Sequence, residues 1–160
     1  MSRQLLQEPV QDLLDALTKS EGPDILSTFT TSPKPLAHEH GLPQLAPFLG
    51  RSFHGQEGIS AYFDILSTYL QIENMKFEPE ETWVIDESCM AIALRGTATF
   101  TWKETQHSWE ETFAYRIKVA EDVSDDSEKN GSLKVCEYQI WADTGAAYLA
   151  SLGNLDDMPE

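Results

Sequence analysis

The feature that most constrains this chain is a change of hydrophobic period near residues 71–75. Before it, Ile59, Tyr62, Phe63, Leu66, Tyr69 and Leu70 recur as one apolar stripe, opened by Gly55-Gln56-Glu57-Gly58, which predicts a helix ending near residue 71. After it, Met75, Phe77, Trp83 and Ile85 alternate with Lys76, Glu78, Thr82 and Asp86, which is the period of a half-buried strand. Pro79 interrupts that strand and predicts a bulge or an edge position. The alternation continues over residues 89–102, with Met90, Ile92, Leu94, Ala98, Phe100 and Trp102 on the bulky face. A polar turn follows, and a return strand places Trp109, Glu111, Phe113, Tyr115, Ile117 and Val119 together. A last strand over 133–143 leads into a short helix over 144–152, closed by Gly153.

Upstream, Leu13, Leu14 and Leu17 predict a helix over about 9–19, ended by Gly22-Pro23. Asp24 can cap a second short helix holding Ile25, Leu26 and Phe29. Four prolines between residues 33 and 47 exclude a long helix and leave one extended piece over 36–40. Helices first and strands afterwards indicate an α+β fold: a curved antiparallel sheet wrapped around three N-terminal helices. A single domain over 1–160 is expected, with its core over about 8–152 and frayed termini. The acidic stretch 121–130 reads as a solvated connection.

Charge removes two classes of partner. Twenty-seven acidic residues face 11 basic ones, a net charge of −16, so neither a nucleic-acid backbone nor an anionic membrane is an expected partner. An apolar share of 41% with four Trp excludes a disordered acidic chain. No run approaches the roughly 20 apolar residues of a membrane span, and Gln, Glu, Pro and Asp break up the N-terminal segment. A soluble, cytoplasmic protein is expected. Cys89 and Cys136 lie in apolar runs and read as buried thiols, not as a disulfide framework.

Several local patterns carry a family resemblance. They are Phe53-His54-Gly55 leading into Gly58-Ile59 and Tyr62-Phe63, the run from Trp109 to Arg116, and Tyr138-Gln139-Ile140-Trp141-Ala142-Asp143. Together with the element order, they resemble the SnoaL-like branch of the nuclear-transport-factor-2-like superfamily. The resemblance implies a cone whose concave sheet face and helices enclose one pocket, often with dimerisation through the outer sheet face. It implies either a cofactor-independent cyclase, isomerase or dehydratase acting on a hydrophobic metabolite, or a non-catalytic binding or assembly module of the same fold.

If the bulky faces are concave, Glu111 is a carboxylate on an otherwise apolar wall, where desolvation suits it to proton transfer. The competing reading puts it at a strand end in solvent. His54 opens the third helix, where the dipole favours a neutral imidazole, or it simply orders the turn. Glu111 and His54 are the catalytic candidates; Tyr62, Tyr69, Trp102, Tyr115, Tyr138 and Trp141 are the ligand-lining candidates. Asp143 reads as the cap of the terminal helix. His38-Glu39-His40 puts two imidazoles on one strand face, a weak donor set, and neither a metal nor a cofactor is expected. Ala91, Ala93, Thr97, Thr99, Thr112 and Ala114 leave the opposite face flat, punctuated by Arg95 and Arg116 with Glu110 and Glu137 in cross-strand reach. That face is the expected surface of a homodimer.

Overall fold

A computed structural model describes residues 2–123 and 131–156. Helix α1 (Arg3–Thr18) starts earlier than the sequence predicts, capped by Ser2, whose hydroxyl accepts the Leu5 N–H. Pro9 therefore lies inside the helix. Its missing hydrogen bond is outweighed because Leu6, Val10, Leu13 and Leu14 are fully buried on one face. The second expected helix is a single 3-10 turn, Ile25–Thr28. Strands β1 (Leu36–His40) and β2 (Ser52–His54) precede helix α2 (Gly55–Tyr69). The remaining elements are β3 (Leu70–Phe77), β4 (Val84–Asp86), β5 (Ala91–Trp102), β6 (His107–Glu121), β7 (Leu133–Trp141) and α3 (Thr144–Ser151). Among the described residues, two of the three α-helices precede the long strands and the third follows them, so the three helices are not all N-terminal.

The strands form one curved, mostly antiparallel sheet in the order β2-β1-β7-β6-β5-β3. The single strand expected across Pro79 is two strands, β3 and β4, that share one edge of β5 end to end. β1 joins β7 in parallel, so the proline-rich segment extends a sheet otherwise built as a meander. In β7, Val135 faces Val119 while Glu137 faces Lys118, so Cys136 is an extra residue in the ladder. The parity of the strand therefore changes at Cys136, and Val135, Tyr138 and Ile140 all face inward.

The bulky faces are indeed the concave ones. Ile92, Leu94, Phe100 and Trp102 of β5, and Phe113, Tyr115, Ile117 and Val119 of β6, are buried against α1, α2 and the 41–50 loop. On the convex side Ala93, Arg95, Thr97 and Thr112 are exposed. Arg116 meets Glu137 across strands at 3.4 Å, as its position predicts, whereas Arg95 pairs with Glu78 at 3.0 Å and not with Glu110. Both cysteines are free and half-buried. No helix among the described residues is long and apolar enough to cross a membrane. Most of the acidic connection, 124–130, and residues 157–160 of the tail lie outside the described residues.

Candidate functional site

A cavity of about 40 Å³ lies between the concave face, α2, the 41–50 loop and the start of α3. Its walls are mainly apolar, but three acidic residues and three tyrosines line it: Glu39, Glu111, Asp143, Tyr62, Tyr115 and Tyr138.

Glu39 comes from β1 and is only 7% exposed. Its neighbours His38 and His40 take the convex side, because alternate residues of a strand point to opposite faces. The Tyr62 hydroxyl of α2 donates to Glu39 Oε1 at 2.6 Å. Burial raises the Glu39 pKa from its usual 4.5 to about 7; the Tyr62 bond opposes this and the nearby Glu111 charge adds to it. Near neutral pH, Glu39 is thus poised between acid and carboxylate.

Glu111 is half-buried on β6, and each of its oxygens is held. Trp109 Nε1 donates to Oε1 at 3.0 Å, and the backbone N–H of Asp143 donates to Oε2 at 2.6 Å. Desolvation still raises its pKa, and the two donors partly offset that. The Asp143 side chain caps α3, accepting the Ala146 N–H at 2.9 Å. The same residue therefore starts the helix with its carboxylate and holds Glu111 with its amide.

Tyr115 and Tyr138 meet edge to face, with centroids 4.9 Å apart, and their hydroxyls interact. Burial keeps both phenols protonated well beyond the usual range, so they act as donors and not as bases. Tyr62 stacks between Phe53 and Phe63, which fixes the direction of its hydroxyl.

The other sequence candidates lie elsewhere. His54 is the exposed residue before α2; its side chain makes no cap bond and does not reach the cavity. Trp102 and Tyr69 stack at 5.4 Å in the packed layer beside the cavity. Trp141 is 43% exposed on the convex face, because it and Tyr138 differ in parity and only one can point inward. Sequence reasoning missed Glu39 and Trp109 as cavity groups. The signal for Glu39 was its alternation with His38 and His40, which set it apart from them on the opposite face.

A curved sheet closed over one internal cavity by α1, α2 and α3 defines the nuclear-transport-factor-2-like fold, the class the sequence patterns resemble. Solved structures agree over nearly the whole chain. An NTF2-like protein from Burkholderia xenovorans superposes with a TM-score of 0.67 at 20% identity, covering 94% of this chain and 98% of that one. A candidate SnoaL-like polyketide cyclase from Mesorhizobium loti gives 0.57 at 15% identity, covering 88% and 98%. A ketosteroid isomerase-like protein from Erwinia carotovora gives 0.57 at 12% identity, covering 88% and 95%. At these identities the likeness establishes the fold. No family model and no curated protein matches the sequence.

Proposed function

We propose that this chain is a cofactor-independent acid–base catalyst acting on a small hydrophobic carbonyl compound. The observation that carries the reading is that Glu39 and Glu111 share one tyrosine-lined apolar cavity in unlike environments, while the Asp143 carboxylate is engaged in capping α3. Glu111, whose two donors favour its carboxylate form against desolvation, takes a proton from the carbon beside the carbonyl. Glu39, poised between acid and carboxylate near neutrality, gives a proton in its acid form to the carbonyl oxygen as negative charge develops there. Return of the first proton from Glu111 to a different carbon, with the enol O–H proton going back to Glu39, completes an isomerisation. In a cyclisation the enol carbon attacks a second carbonyl, whose oxygen takes the proton held by Glu111 while the enol O–H proton returns to Glu39. The resemblance to cyclase-like and isomerase-like structures supports this class of chemistry. The roles of Tyr62, Tyr115 and Tyr138 are to orient and donate.

One observation favours a second reading, a non-catalytic binding or assembly module. At about 40 Å³ the cavity is far below the roughly 300–1,000 Å³ of pockets that engulf drug-sized ligands. In either reading we assign the flat convex face around Ala93 to a homodimer.

The test is deuterium incorporation. The protein is incubated in D₂O with a panel of small enones and β-diketones and followed by proton NMR, alongside native mass spectrometry for a retained ligand. Catalysis predicts exchange beside the carbonyl that falls about 100-fold in Glu111→Gln and in Glu39→Gln, within the range for loss of one acid–base group. Exchange no faster than in those variants, with no retained ligand, favours the module.

A further inference from the structure

The convex face carries a second chemical group, built from His38 and His40 and separate from the cavity. Residues two apart on a strand lie about 6.6 Å apart along it. The two imidazole centroids nevertheless come within 4.5 Å, so the rings lean toward each other. Each ring is anchored through one nitrogen. His40 Nε2 donates to Gln139 Oε1 at 2.8 Å, and His38 Nδ1 meets Ser52 Oγ at 2.9 Å. In the tautomer that donates to both oxygens, His40 Nδ1 and His38 Nε2 keep their lone pairs. Neither has a hydrogen-bond partner among the described residues.

This is the arrangement metal-binding histidines share: one nitrogen donating to an oxygen that fixes tautomer and direction, the other nitrogen free for the ion. The register builds it. Ser52 and Gln139 flank His38 on β2 and β7, and Trp141 flanks His40. Trp141 stacks on the His40 ring, 4.4 Å between centroids and 6° between planes, which limits ring rotation. Arg116 lies across from Gln139, but its guanidinium reaches toward Glu137. The net charge of −16 raises the local concentration of any cation.

We infer that His38 and His40 form a chelating site on the convex face for a divalent ion of the copper–nickel–zinc group. Imidazole nitrogen prefers these ions to magnesium or calcium. Among the described residues no third His, Cys, Asp or Glu completes a protein-only ligand set. Water or a donor from outside the described residues fills the remaining positions, and the bound ion stays open to exchange.

The experiment titrates the intact protein with copper(II) chloride in a non-coordinating buffer, following heat and tryptophan emission together. One ion per chain is expected, with saturable quenching, because Trp141 alone among the four tryptophans is exposed and lies against His40. His38→Gln and His40→Gln should each weaken binding at least tenfold. Ser52→Ala should weaken it by about tenfold through the anchoring bond. Trp141→Phe should abolish the quenching while the calorimetric stoichiometry stays at one. His54→Gln, on the neighbouring strand, should change nothing. Circular dichroism checks that each surface variant is folded. Affinity unmoved by both His38→Gln and His40→Gln, or lost equally in His54→Gln, overturns the assignment.

Discussion

Glu39 offers a direct thermodynamic test of the cavity. In an unfolded chain its carboxyl titrates near 4.5; in the fold it titrates at about 7, chiefly because burial disfavours the charge. Below pH 4.5 both states hold the proton and the residue costs nothing. Between pH 4.5 and 7 the unfolded state releases it while the folded state retains it, so the folded state binds more protons and stability falls as pH rises. Above pH 7 the full cost is in place, about 3 kcal/mol at 1.36 kcal/mol per pH unit. Glu39→Gln removes the titration while keeping the shape and an oxygen to accept the Tyr62 hydroxyl. Urea unfolding of both proteins at pH 5, 6, 7 and 8 should show the variant gaining roughly 2–3 kcal/mol on the wild type across the series. In Glu111→Gln, the window should move to lower pH, because one of the charges holding Glu39 up is gone. A wild-type-minus-Glu39→Gln difference that changes by less than about 1 kcal/mol from pH 5 to pH 8 would refute the burial of an ionisable group there.

Tyr62→Phe strips Glu39 of its donor and should cost roughly 1–3 kcal/mol in urea unfolding, while pushing the Glu39 titration still higher. Gly96→Ala places a methyl 2.6 Å from the buried Phe113 ring and 2.8 Å from Phe77, and should destabilise by roughly 1–3 kcal/mol with loss of cavity shape. Ala93→Arg, on the exposed convex face, should convert the proposed dimer to a folded monomer by light scattering; a wild type that is itself monomeric at tens of micromolar removes the proposal.

The sheet was legible because period-2 alternation is strong wherever one face is buried, as over Ile92–Trp102 and Trp109–Val119. The bulky-face assignment grouped Glu111 and Tyr115 with Tyr62, His54 and Trp102 around one cavity; the first three reach it, whereas His54 and Trp102 do not. β1 defeated it. Leu36-Ala37-His38-Glu39-His40 offers Leu and His on one side against a small residue and a charged one on the other. Bulk and hydropathy favour the wrong side as the interior. Only pairing with β7, more than 90 residues away in sequence, turns Glu39 inward, and local pattern holds no record of that contact. Trp141 misled for a related reason: a large aromatic reads as core, yet the strand that carries it has spent its inward positions on Tyr138 and Ile140.

The extra residue at Cys136 lets β7 do two jobs although the residues that do them are three positions apart. On one side of it, Val135 bridges the Phe29 segment and helps lock the N-terminal third of the chain to the sheet. On the other, Tyr138 faces Tyr62 and Tyr115 inside the cavity. Val135 and Tyr138 have opposite parity, so without the bulge one of them would point outward. Deleting Cys136 would leave Val135 and Tyr138 two positions apart, opposite Val119 and Ile117 in a regular ladder, so both the anchor and the phenol should survive the deletion. A single supernumerary position thus acts as a spacer that absorbs the odd separation between the scaffold half of the strand and its chemical half, and a chain shorter by that one residue could keep both.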